Sequence, residues 1–203
     1  MNSRARTVTI ISVLSSFAFV ATLHVVRTDL APASHRLSEY ASGPYGWMMT
    51  AAFITLSCGL VAFGFDLWIR SSRNAIDWLC FSAVAVAAAG TMLSGVFETG
   101  GSDLAETMHS RASAIAVIAL VTLALVYSIP RRAHAHETDR VGATLAVIAA
   151  ALALLSPVFH HTRWTGLSQR LLWVVLLAWL LREAWKPALG GSVSGHGGHH
   201  AEQ

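Results

Sequence analysis

Six apolar runs, nineteen to twenty-four residues long, succeed one another along a chain of 203 residues. They cover 7–26, 46–69, 75–97, 107–129, 141–159 and 167–185. A helix rises about 1.5 Å per residue, so about 20 apolar residues cross the hydrocarbon core of a bilayer. In lipid the backbone has no water to bond, and a helix satisfies its own amides and carbonyls. The pattern therefore predicts an all-α, polytopic transmembrane bundle of about six helices. Composition points the same way. With 54% apolar and 12% charged residues, the chain has more apolar surface than a soluble globule of this size can bury. It is also far too apolar for extended disorder. The first run is too long for a leader's apolar region and no small-residue cleavage site follows it, so it is expected to remain as a span.

Fourteen Lys and Arg residues stand against eleven Asp and Glu, a net charge of +3. The basic residues lie singly or in pairs between the apolar runs. No basic stripe forms, so no nucleic-acid partner is expected. They read instead as topology signals. With the N-terminus in the cytoplasm, the inner set is Arg4, Arg6, Arg70, Arg73, Arg131, Arg132, Arg140, Arg182 and Lys186. The outer set is the smaller one: Arg27, Arg36, Arg111, Arg163 and Arg170. The bias predicts a multi-pass protein of the cell membrane with both termini cytoplasmic. Trp68, Trp78 and Trp185 then mark the inner interface, and Trp47 and Trp164 the outer one. Asp66 and Asp77 are expected as solvated ion pairs with Arg70 and Arg73. Cys58 and Cys80 fall inside apolar runs, outside any metal spacing, and are expected as buried thiols.

The inner connections are short and the outer ones carry the chemistry. The first outer loop, 27–45, holds Asp29, His35, Glu39, Tyr40 and Tyr45. Its segment 34–41 predicts a short surface helix, and Gly43-Pro44 a turn into the second span. Asp103 and Glu106 have the spacing of a capping pair before the fourth span, and Thr165 can cap the sixth. Pro157 kinks or ends the fifth span ahead of His160-His161. In the third span Ala83, Ala87, Gly90 and Ser94 predict close helix contact. The segment 187–203 is rich in Gly, Ser and His and is expected to be disordered; His196, His199 and His200 there could bind a metal ion loosely.

Ionisable groups at membrane depth are costly and usually face a cavity or a partner. Three readings follow. In the first, His24, His109 and His160 or His161, completed by Asp103 or Glu106, hold zinc for a metal-dependent hydrolase acting on a lipid ester or amide. No H-E-x-x-H or H-x-x-x-H joins these histidines. In the second, His24 and His109 hold haem b from two spans. In the third the groups are structural: Glu39 pairs with Arg170 or Arg111, and the loop lies as a lid over the outer ends of the fourth and sixth spans. A lipid or small-ligand pocket fits beneath such a lid. Transport is disfavoured, since no broken-helix pair or repeat of halves is present. No motif names a reaction, and whether the chain is an enzyme stays open.

Residues 23–30, Leu-His-Val-Val-Arg-Thr-Asp-Leu, lead to residues 38–49, Ser-Glu-Tyr-Ala-Ser-Gly-Pro-Tyr-Gly-Trp-Met-Met. An arginine-x-aspartate turn followed by S-x-Y-x-x-G-P-x-G resembles the hallmark of the prokaryotic membrane family called domain of unknown function 998. Phe97-Glu98-Thr99, His109-Ser110-Arg111-Ala112, and Gly166 to Arg170 followed by Trp179 are similar to further family segments. The resemblance covers about residues 10–186. Relatives often have F-P-T-D where this chain has Phe97-Glu98-Thr99-Gly100, so its acidic group is shifted. The resemblance implies an integral membrane protein of about six helices and no particular activity. The matching residues all fall on one side of the membrane. They suggest an outward-facing pocket for a membrane lipid or small amphiphile, built from His24, Asp29, Ser38, Glu39, Tyr40, Tyr45, His109, Arg111 and Arg170.

Overall fold

The computed structural model describes residues 2–97, 102–128, 140–160 and 162–186. Six long helices run through it: α1 Ser3–Val26, α2 Trp47–Arg70, α3 Ala75–Val96, α4 Asp103–Ser128, α5 Arg140–Phe159 and α6 Thr165–Trp185. A 3-10 turn, η1 Leu37–Ala41, interrupts the loop between α1 and α2. Among the described residues there is no strand. Five of the helices, α1 to α5, are long and apolar enough to cross a membrane. Helix α6 has comparable length, but Gln169 and Arg170 at one end and Arg182 and Glu183 at the other leave only 171–181 continuously apolar. The expected segment 187–203 lies outside the described residues.

Short polar residues start the helices. The side chain of Asn2 accepts from the Arg4 amide at 3.1 Å, and that of Asn74 from the Asp77 amide at 2.8 Å. Each satisfies an amide that the first turn leaves without a helical partner. The expected capping pair of α4 is displaced by one residue: Ser102 Oγ accepts from the Ala105 amide at 3.2 Å, and Asp103 is already helical. Thr165 does not cap α6 either. It is the first helical residue, and the Leu167 amide donates instead to the Ala33 carbonyl of the first loop, at 3.1 Å.

Successive helices pack on one another, and α6 returns to α1. The predicted small-residue seam is present. Ala83, Ala87, Gly90 and Ser94 are buried, and a Cβ on Gly90 would lie 2.9 Å from the Ala112 carbonyl oxygen of α4. Phe63, Tyr127 and Trp179 pack ring against ring in the core, with the Trp179 indole donating to Ser128 Oγ at 3.0 Å. Both ends of the described chain sit at one end of the bundle. There Arg6 donates to the Trp185 carbonyl at 2.9 Å, and the Asn2 amide to Asp66 Oδ1 at 2.6 Å. The opposite end carries η1 and the starts of α2, α4 and α6.

Two expectations at the chain-termini end are corrected. Asp66 is fully buried, not solvated, and pairs with Arg70 and the Asn2 amide. Asp77 accepts from the Ser72 and Ser71 hydroxyls at 2.8 and 3.2 Å, while the Arg73 guanidinium lies 5.3 Å from the Trp68 ring centroid. Of the two thiols, only Cys80 is buried; Cys58 faces outward from α2.

Helix α5 fits the bundle along only half its length. Gly142, Ala143, Ala146 and Ala149 are buried, and no residue from 150 to 159 is. Small side chains allow close approach at the chain-termini end. Beyond Ala149 no residue of α5 is fully buried, although Ala150, Leu152 and Ala153 still pack against the core, and the space described next lies beside this half of the helix.

Candidate functional site

The residues expected to form one outer pocket divide into two networks. The first ties the loop to α1 and α6. Arg170 Nε donates to His24 Nε2 at 2.7 Å, and its Nη1 donates to the carbonyls of His35 at 2.7 Å and Gly166 at 2.9 Å. His24 Nδ1 lies 2.7 Å from the Val20 carbonyl. A carbonyl only accepts, so the ring proton is on Nδ1 and Nε2 offers its lone pair to the arginine. Tyr40, fully buried, packs against both. Its ring centroid is 5.1 Å from that of His24 and 5.4 Å from the Arg170 guanidinium carbon, and its hydroxyl donates to the Leu30 carbonyl at 3.2 Å. Gly166 makes this docking possible. A Cβ there would come within 2.2 Å of the His35 carbonyl oxygen and 2.5 Å of that of Pro32.

The hallmark turn has its own support. Arg27, 7% exposed, clasps Asp29 through Nε at 2.9 Å and Nη2 at 2.8 Å, and donates from Nη1 to the Ser42 carbonyl at 2.6 Å. Gly43 takes φ +82°, which suits a residue without Cβ. Tyr45, at φ 64°, follows with its side chain exposed. The side-chain hydrogen bonds hold the Asp29 carboxyl below its ordinary value and raise the Arg27 guanidinium above its own. Asp29 itself is exposed. It serves the loop and does not reach the cavity.

The second network lines a cavity of about 630 Å³ between α2, α3, α4, α5 and α6, roofed by η1. That volume is within the range of small-molecule pockets, about 300–1,000 Å³. His109 Nδ1 donates to the carbonyls of Ser94 at 2.8 Å and Phe97 at 2.9 Å. Ser113 Oγ bonds Ser94 Oγ at 2.9 Å, and Ser94 Oγ donates to the Gly90 carbonyl at 2.8 Å. Ser38, Thr91, Ser156, His160 and Gln169 add polar groups to the lining. Leu56, Leu120, Leu172, Leu176 and Leu177 line it with apolar surface. Gln169 also holds the roof, its Oε1 accepting from the Leu37 amide at 2.6 Å. Exposed Ala114 and Ile118 of α4, exposed Pro157 of α5 and exposed His160 just after it border the cavity, so it is reached from the side of the bundle between α4 and α5.

The remaining expected residues fall elsewhere. Glu39 meets Arg36, 3.7 Å from its Nε, rather than pairing with Arg170 or Arg111. Arg111 is exposed on α4. The 3-10 turn of the loop packs chiefly on α2 and α6; His109 of α4 lines the same cavity as the roof residues Leu37 and Ser38. Asp103 and Glu106 are exposed on the first turn of α4, and His161 lies outside the described residues. Among the described residues no three His, Cys, Asp or Glu side chains gather around a common point that could hold a metal ion. His24 and His109, the pair considered for haem, belong to separate networks.

Sequence reasoning did not single out Ser113, Thr91, Trp173 or Gln169. A signal for Ser113 existed: it follows His109 by four residues, hence on the same helix face. Trp173 follows Gln169 by the same interval.

No curated protein and no solved structure matches the chain. The model of the family described as "Protein of unknown function (DUF998)" matches residues 10–186, nearly all of the helical region. This multi-pass integral membrane protein therefore belongs to the DUF998 family.

Proposed function

We propose that the protein binds a lipid or small amphiphile in the cavity beneath η1, admitted from the bilayer between α4 and α5. One observation carries the reading: a cavity of about 630 Å³ has apolar walls, a cluster of polar groups around His109, and a lateral border on two lipid-facing helices. An amphiphile matches that distribution, its head at the polar cluster and its chain against the leucines. The bundle sits in the cell membrane with both termini cytoplasmic, which the excess of arginine at the chain-termini end supports. The cavity then faces the outer half of the bilayer. Reporter fusions at the two termini test this orientation, and an extracytoplasmic C-terminus would reverse it.

Ligand occupancy is tested by extracting lipid from the purified protein and weighing it by mass spectrometry. Ala153 lines the cavity, whereas Ala151, two residues away, is exposed and does not. Ala153→Trp is expected to abolish a stoichiometric co-purified amphiphile that Ala151→Trp retains. Equal retention by both variants, or no stoichiometric lipid in the parent protein, overturns the proposal.

A further inference from the structure

We infer that the cavity selects uncharged amphiphiles whose head carries a hydroxyl, and that His109 Nε2 accepts the hydrogen bond from it. This rests on the amphiphile-binding reading above and narrows it to a ligand class. Two observations lead there. First, among the described residues the lining contains no Asp, Glu, Lys or Arg. The cations nearest in the chain are committed or directed elsewhere. Arg170 adjoins the lining residue Gln169 in sequence, but its guanidinium binds His24 and the His35 carbonyl and packs over Tyr40. Arg36 adjoins the lining residue Leu37 but faces Glu39, 3.7 Å from its Nε; Arg27 is held by Asp29, and Arg111 is exposed. A phosphate or carboxylate head entering the cavity would lose water and meet no countercharge, which is strongly unfavourable. A neutral hydroxyl or ester head loses far less.

Second, the polar cluster offers an acceptor. Two carbonyls take the proton on His109 Nδ1, so the neutral ring carries a lone pair on Nε2. Among the described residues the donor closest to it is Ser113 Oγ at 3.4 Å, long for such a bond, and that hydroxyl sits closer to Ser94 Oγ, at 2.9 Å. Ser94 Oγ is in turn turned toward the Gly90 carbonyl at 2.8 Å. The chain Ser113 to Ser94 to Gly90 thus uses its hydroxyl protons internally and leaves Nε2 for a donor from outside. His109 is 3% exposed, so that donor comes from whatever fills the cavity. Phe53, with its ring centroid 5.8 Å from the imidazole, holds the ring edge-on.

The test uses the full chain, delipidated in a neutral detergent, and four probes with the same oleoyl chain. These are 1-oleoylglycerol, its dimethoxy analogue without hydroxyl protons, oleate and oleoyl phosphate. Affinity is read by native mass spectrometry, with Ala153→Trp as the blocked-cavity control. Oleoylglycerol is expected to bind the parent protein and not the control. The dimethoxy analogue should bind about tenfold more weakly, the effect of one well-placed hydrogen bond. Oleate and oleoyl phosphate should bind at least about tenfold more weakly again. His109→Gln retains side-chain hydrogen-bonding capacity and should reduce the preference for oleoylglycerol over its dimethoxy analogue. The comparison among probes stands on the parent protein alone if that variant fails to fold. Equal or tighter cavity binding of the anions, or no discrimination against the dimethoxy analogue, overturns the inference and leaves amphiphile binding intact. Binding of none of the four overturns both.

Discussion

Gly166 shows how much a single hydrogen atom can decide. It opens α6 beneath the carbonyls of Pro32 and His35, and both are backbone atoms that cannot rotate away. Arg170, one turn later, donates to the same His35 carbonyl and to His24, so the glycine and the arginine act on one piece of loop. Gly166→Ala should push the loop off α6, breaking the bond from the Leu167 amide to Ala33. Overpacking of this kind costs about 2 kcal/mol, or roughly 4–8 °C in Tm for a chain of this size. A thermal-unfolding scan in detergent measures it, and an unchanged Tm would mean that the loop does not dock as described. The sequence reading placed His24, Tyr40 and Arg170 together, and in the structure these three are in contact. The same reading put Glu39 and Asp29 with them. Those carboxylates found arginines nearer in the chain, Arg36 and Arg27, at separations of three and two residues. Local pairing needs little chain ordering, and spacing between distant segments gives no view of that competition.

At the scale of the helix, periodicity was informative where side chains are small and uninformative where they are merely apolar. The Ala83, Ala87, Gly90, Ser94 seam could be read directly, because small residues recurring at four have few uses other than close approach. Helix α5 has the same small residues in its first half, Gly142, Ala143, Ala146 and Ala149, but its composition does not say that no residue of its second half is fully buried. That difference depends on what α4 and α6 present to it. The burial of Asp66 was equally hidden, since its partners include the amide of Asn2, sixty-four positions away. Because Ala146 is fully buried, Ala146→Leu has no space to occupy. It should force α5 outward at the chain-termini end and destabilise the protein by about 1–3 kcal/mol. Ala151→Leu, on the exposed face, should leave Tm within about a degree, as surface changes usually do. If the two substitutions proved indistinguishable, the close contact of α5 with the bundle would be in error.

The whole molecule is a tight unit of α1 to α4 against which α5 and α6 close as a pair. The seam between these parts is sealed at the chain-termini end and open at the η1 end, and the cavity lies in its open portion. Such an arrangement divides stability unevenly. Segments with few buried contacts open locally at a fraction of the global unfolding free energy. In α5 that boundary falls at Ala149, the last residue the bundle buries. In hydrogen–deuterium exchange on the protein in detergent, residues 150–159 should therefore exchange ahead of 142–149, and both ahead of the core of α2 around Leu60 and Phe63. A ligand in the proposed site would touch Ala153, Ser156 and Pro157 and would bind only while this part of α5 stays folded in place. By mass action, ligand at about 100 times its Kd would stabilise that arrangement by about 2.7 kcal/mol, slowing local opening of 150–159 roughly a hundredfold. Residues exchanging only through unrelated local openings elsewhere would keep their rates. With saturating 1-oleoylglycerol, the expected result is protection concentrated in 150–159 and in the roof residues 37–41, with α1, which contributes nothing to the cavity lining, unaffected. Uniform protection over all six helices would instead indicate a general detergent or bilayer effect. The absence of any protection in 150–159 would place the ligand, if bound at all, away from the seam.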